Sequence, residues 1–220
     1  MPLEHDLSHL AWSHWDTRQF VIRLQTAETP AGSIVLLGDS IIEGLWTNTL
    51  PVHGRACLAV NAGFAGIGVT DLQRMAAPLL AGWKPRFAVL YVGINDAWPD
   101  ADAASWAARY DALVETILRS GATAVLSTIL PPEPGIGRTT KSPQTVERFN
   151  DAIRAVGKSR GLLVADIANA APEAGSANVH LTTDGIHPTG AFYRSLVEQW
   201  LVPALDAAQG ARHEDCISSF

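Results

Sequence analysis

Five short apolar runs, each ending in Gly, Asn, Ser, Asp or just before a glycine, alternate along this chain with longer stretches of helical periodicity. The runs are Ser33–Gly38, Cys57–Asn61, Phe87–Val92, Ala122–Ser127 and Leu162–Asp166. None shows strict polar alternation, which is the pattern of parallel strands covered on both faces. Helical segments are expected near 41–49, 70–82, 101–120, 144–160 and 190–208, with an amphipathic helix near 12–26 in front. Strand and helix in repeated alternation predict a three-layer α/β/α domain, flavodoxin-like, around a five-stranded parallel sheet. In such a sheet ligands bind beyond the carboxyl ends of the strands, so the residues after each strand are the ones to read for chemistry.

Composition narrows the class further. The chain has 220 residues and a formal net charge of -6, with 16 Lys+Arg against 22 Asp+Glu. That length suits one domain over residues 1–220, with a polar tail over about 209–220 expected to be loosely ordered. The acidic balance and the lack of a Lys/Arg cluster argue against a nucleic-acid partner. No apolar run approaches the roughly 20 residues of a membrane span. Glu4, His5 and Asp6 open the chain without the basic and apolar regions of a secretory signal, so a cytoplasmic location is expected. Cys57 and Cys216 are too few for a disulfide scaffold. Oligomeric state is left open, a homo-oligomer included.

Three strand ends and one helix start carry reactive residue types. Gly38-Asp39-Ser40 follows the first run. A serine on a strand-to-helix turn exposes its hydroxyl and its own N–H at the sheet rim, although Asp39 or Ser40 could equally be a plain helix N-cap. Asn61 to Thr70 follows the second run and contains Gly63, Gly66 and Gly68. Its order, G-x-x-G-x-G, is not the dinucleotide fingerprint, and no acidic residue ends the third strand. Gly93-Ile94-Asn95-Asp96 places a side-chain amide at the rim, or an Asx-turn. Near the end, Asp184-Gly185-Ile186-His187-Pro188 spaces a carboxylate three residues from an imidazole, enough to fix its tautomer and leave the other nitrogen as a base. Each signal is modest alone, but together they make up a serine-hydrolase constellation.

In these blocks the sequence resembles the SGNH (GDSL-type) hydrolases, from about Ile34 to Tyr193. The family letters fall on Ser40, Gly66, Asn95 and His187, with Asp184 completing the triad. Ile41 stands where the family motif has Leu. Within the family the chain looks most like the group of platelet-activating-factor acetylhydrolases and carbohydrate acetylesterases, through its Trp-containing leading helix (Trp15 to Phe20) and Lys84-Pro85.

The resemblance implies hydrolysis of a small-molecule ester through an acyl-serine, with Ser40 as nucleophile, His187 as base and Asp184 orienting it. The N–H groups of Ser40 and Gly66 and the Asn95 amide would meet the oxyanion, a side chain at Gly66 crowding the substrate carbonyl. No cofactor and no metal are needed. Short acyl groups, acetyl foremost, are the expected substrates. A lysophospholipase or thioesterase and a non-catalytic carbohydrate-binding domain are the alternatives. Trp46 and Trp98, with Pro131 and Pro132 in the loop after the fourth strand, are expected to border the substrate. Trp83, Trp106 and Trp200 are expected to pack helices on the sheet.

Overall fold

The computed structural model describes residues 13–81, 83–137, 139–169 and 181–209. The expectations for residues 4–6 and for the tail beyond 209 lie outside them. Six strands form one sheet: β1 (Ile34–Gly38), β2 (Thr49–Val52), β3 (Arg55–Gly63), β4 (Phe87–Tyr91), β5 (Thr123–Ser127) and β6 (Leu163–Ala165), in the order β2-β3-β1-β4-β5-β6. The five predicted runs are the parallel members. Their order is that of a flavodoxin-like sheet, which reverses direction beside β1. All five residues of β1 and all five of β4 are buried, as unbroken apolar runs require when helices cover both faces.

The sixth strand corrects the expected count and the expected helix over 41–49. That segment holds a single helical turn, α2 (Ser40–Glu43), followed by β2, which pairs antiparallel with β3. His53 and Gly54 connect them, with φ of 47° and 73°. Two successive positive φ values make a tight two-residue hairpin turn, and the His53 N–H is held by the Asp206 carboxylate at 2.6 Å. Leu50 and Val52 are buried while Pro51 is exposed, a short strand alternation that a helical reading overlooks. Pro51 fits because β2 is an edge strand.

The remaining helices lie close to expectation. They are α1 (His14–Glu28), α3 (Val69–Leu80), α4 (Ala103–Arg119), α5 (Pro143–Arg160), α6 (Gly190–Leu196) and α7 (Val202–Gln209). Ser13 and Asp16 start α1 with a reciprocal capping box. The predicted helix over 190–208 is interrupted by a π turn at Val197–Leu201, where the Val202 N–H bonds Val197 O. Pro203 follows directly, and a wider turn accommodates a ring that would clash with an ordinary helical carbonyl. α3 packs on α4 and α4 on α5 across one face, while α2, α6 and the π turn meet Val89, Tyr91 and Ser127 on the other. Trp106 is fully buried, stacked 4.0 Å from Phe149, and Trp83 donates to Ser33 Oγ at 2.9 Å. With Trp200 packed against the same core, all three sit where helix packing predicts.

Candidate active site

At the end of β1 the turn into α2 is capped by Asp39, whose Oδ1 accepts the Ile41 N–H at 3.0 Å. Asp39 is therefore the cap, which leaves the Ser40 hydroxyl uncommitted. Asn61 fixes the other end of the turn by donating to Ile42 O at 2.6 Å and Leu45 O at 2.8 Å. Backbone contact here is close: a Cβ on Gly63 would stand 2.2 Å from Glu43 N.

The Ser40 Oγ lies 2.9 Å from His187 Nε2, and His187 Nδ1 lies 2.7 Å from Asp184 Oδ2. A carboxylate facing Nδ1 places the ring proton there and turns Nε2 toward the serine as acceptor. The other Asp184 oxygen accepts the N–H groups of Ile186 at 3.0 Å and His187 at 2.9 Å. Partial burial pushes the Asp184 carboxyl up, but these hydrogen bonds outweigh it and hold the group below its ordinary value. Two backbone bonds close the loop at its base, Thr183 N to His187 O and Thr189 N to Leu181 O, both 2.8 Å.

Two further groups reach the rim from neighbouring strand ends. Gly66, after β3, has φ of 77° and an N–H that meets no acceptor among the described residues. A Cβ there would touch no protein atom within 4 Å, so the constraint on this position is the left-handed φ and not crowding by the protein. Asn95 sits in a 3-10 turn after β4 and donates one amide hydrogen to Ile67 O at 2.9 Å, tying the two loops together. Asp96 accepts the Val69 N–H at 2.9 Å and the Trp106 indole N–H at 3.2 Å, so it caps α3 instead of entering the site. Lys141 is a residue that sequence reasoning missed. Its ammonium donates to Asn95 O at 2.7 Å and lies 3.5 Å from the Trp98 ring centre. No local pattern marks a lysine in a Thr/Ser loop for that contact.

Of the residues expected to border substrate, Trp46 is 97% exposed and Trp98 47% exposed, while Pro131 is exposed and Pro132 buried. The Pro/Gly loop after β5 has a firmer task. Glu133 accepts the N–H groups of Leu181 at 3.3 Å and Thr182 at 2.8 Å and the Thr182 hydroxyl at 2.5 Å, and its own N–H bonds Gly185 O at 2.8 Å. The loop thereby braces the segment that carries Asp184 and His187. Among the described residues no cluster of His, Cys, Asp and Glu has the arrangement to hold a metal ion, and no helix is long and apolar enough to cross a membrane.

A doubly wound sheet with serine, imidazole and carboxylate linked in sequence at its carboxyl rim has the architecture of a serine-type acyl hydrolase. The chain belongs to the GDSL-like lipase/acylhydrolase family, whose pattern it matches over residues 36–195. Solved structures share the fold at low identity. A GDSL-like lipase from Bacteroides thetaiotaomicron superposes with a TM-score of 0.69 at 17% identity, covering 89% of this chain and 100% of that one. A lipase/acylhydrolase from Enterococcus faecalis gives 0.67 at 23%, covering 80% and 96%. An acetyl xylan esterase, AlAXEase, gives 0.61 at 18%, covering 76% and 96%. No curated protein matches the sequence.

Proposed function

We infer that this chain is a serine esterase that removes short acyl groups, acetyl foremost, from carboxylic esters. The observation that carries the reading is the continuous relay from Ser40 Oγ through His187 to Asp184, with contacts of 2.9 Å and 2.7 Å. Ser40 Oγ attacks the ester carbonyl as Nε2 takes its proton, and Asp184 stabilises the imidazolium. The carbonyl oxygen gains charge toward the N–H groups of Ser40 and Gly66 and the free amide hydrogen of Asn95. Collapse expels the alcohol with the proton from Nε2. Water, deprotonated by the same nitrogen, then releases the acid and restores Ser40.

One observation supports a short acyl group: a fold relative is named an acetyl xylan esterase. The test is hydrolysis of p-nitrophenyl esters of two to twelve carbons (probe lengths on the order of typical esterase assays) by wild type and Ser40→Ala. Wild type is expected to prefer the shortest ester, and Ser40→Ala to lose on the order of a million-fold in kcat. Near-normal turnover by Ser40→Ala would overturn the assignment, and a preference for the longest chains would replace acetyl esters with lysophospholipid or thioester substrates.

A further inference from the structure

The peptide group between Ala65 and Gly66 is held by residues from outside the strand-end loops. Trp15, in the first turn of α1, donates its indole N–H to Ala65 O at 2.8 Å. In a trans peptide the C=O and the following N–H point in opposite directions, and no cis bond occurs among the described residues. Fixing Ala65 O therefore fixes the direction of the Gly66 N–H on the far side of the same plane. The preceding peptide is held as well, because Ala65 N–H donates to Glu43 Oε2 at 2.5 Å. His14, beside Trp15, has its Nε2 3.0 Å from that same carboxylate oxygen. Arg18, one turn on, donates to Gly63 O at 3.0 Å and Asn61 O at 3.1 Å.

The glycine that ends in this clamp needs it. Gly66 is exposed, its φ is 77°, and its N–H is unpartnered among the described residues. A glycine peptide in such a loop has wide freedom to rotate, whereas an oxyanion donor must be aimed before the charge develops. A hydrogen bond received at the carbonyl also polarises the peptide and strengthens the N–H opposite.

We propose that Trp15 is a positioning residue for the reaction, acting through the Ala65–Gly66 peptide to aim and strengthen the Gly66 N–H toward the oxyanion. This rests on the esterase reading, in which Gly66 is an oxyanion donor. In this role Trp15 acts only through that peptide, so its removal is expected to lower kcat and change KM little. Losing an entire oxyanion donor costs roughly 100- to 1,000-fold in kcat in known cases. Loosening one should cost less, about tenfold.

Two replacements test it: Trp15→Phe, and 3-benzothienylalanine at position 15, which keeps the bicyclic shape and puts sulfur where the N–H was. Steady-state kinetics on p-nitrophenyl acetate are read beside the thermal unfolding midpoint. Both are expected to lower kcat about tenfold with KM changed less than twofold, and to slow fluorophosphonate labelling of Ser40 by a similar factor. The benzothienyl replacement preserves packing and gives the answer even where Trp15→Phe unfolds. If its kcat stays within about twofold of wild type, or if KM rises in step with the loss, Trp15 only packs and the proposal is overturned. If wild type itself hydrolyses no ester, the esterase reading fails and this inference with it; if wild type is active and the benzothienyl replacement matches it, this inference alone fails.

Discussion

Asp39→Asn should abolish the loss of stability with rising pH that the wild-type carboxyl imposes. Asp39 is completely buried at the end of β1, and its Oδ2 has no hydrogen-bond partner. Burial pushes its carboxyl up to about 7, the nearby Asp96 charge adds to the rise, and the N–H groups of Ile41 and Gly93 oppose it. The unfolded chain releases this proton near 3.8, whereas the folded chain keeps it until about 7. The folded state thus binds the extra proton in between, and stability falls as pH rises through that window. The whole shift corresponds to about 4 kcal/mol as an upper bound, of which roughly 3 kcal/mol lies between about pH 5 and pH 8.5. Asparagine keeps an oxygen for Ile41 N–H and cannot ionise, so it mimics the protonated acid. Urea unfolding followed by tryptophan fluorescence should show the stability of Asp39→Asn relative to wild type rising by about 3 kcal/mol from about pH 5 to pH 8.5. The Asp96 carboxyl, also raised by burial, is common to both proteins and largely cancels in the comparison. Parallel stability curves across this range would refute the reasoning.

Other residues make separate predictions. Asp184→Asn should keep the fold but lower kcat on the order of 10,000-fold with KM little changed, because Nδ1 loses the carboxylate that sets the tautomer. Gly66→Ala has room for its methyl, so only the positive φ is strained: a loss of about 1–2 kcal/mol in urea unfolding is expected. Glu133→Ala strips acceptors from Leu181 N, Thr182 N and Thr182 Oγ1, and should cost about 2–4 kcal/mol in the same assay while lowering kcat by loosening the loop of Asp184 and His187.

Legibility in the sequence followed the range of the interactions. The five parallel strands were readable because a strand buried on both faces must be apolar throughout. Ser40 and Asn95 stood out because an α/β sheet places its strand ends at one rim, and Asp184 and His187 because a carboxylate stands three residues before an imidazole. β2 was hidden because it has four residues, one a proline, and a turn built on His53 instead of Asn. Asp166 ends the fifth run yet serves the fold, gripped by Arg154 at 2.9 and 3.0 Å. The contacts that brace these loops were invisible: Trp15 to Ala65, Lys141 to Asn95 and Glu133 to Thr182 join residues 50, 46 and 49 positions apart. Neither periodicity nor local motif encodes such pairs. His14 gave no motif signal for the same reason, since its partner Glu43 lies 29 residues away.

The most direct test of a nucleophilic Ser40 is covalent labelling with a fluorophosphonate followed by peptide mapping. The relay through His187 and Asp184 predicts a single adduct on Ser40, lost in Ser40→Ala and strongly slowed in His187→Ala. An adduct on another residue, or labelling that survives in Ser40→Ala, would contradict it.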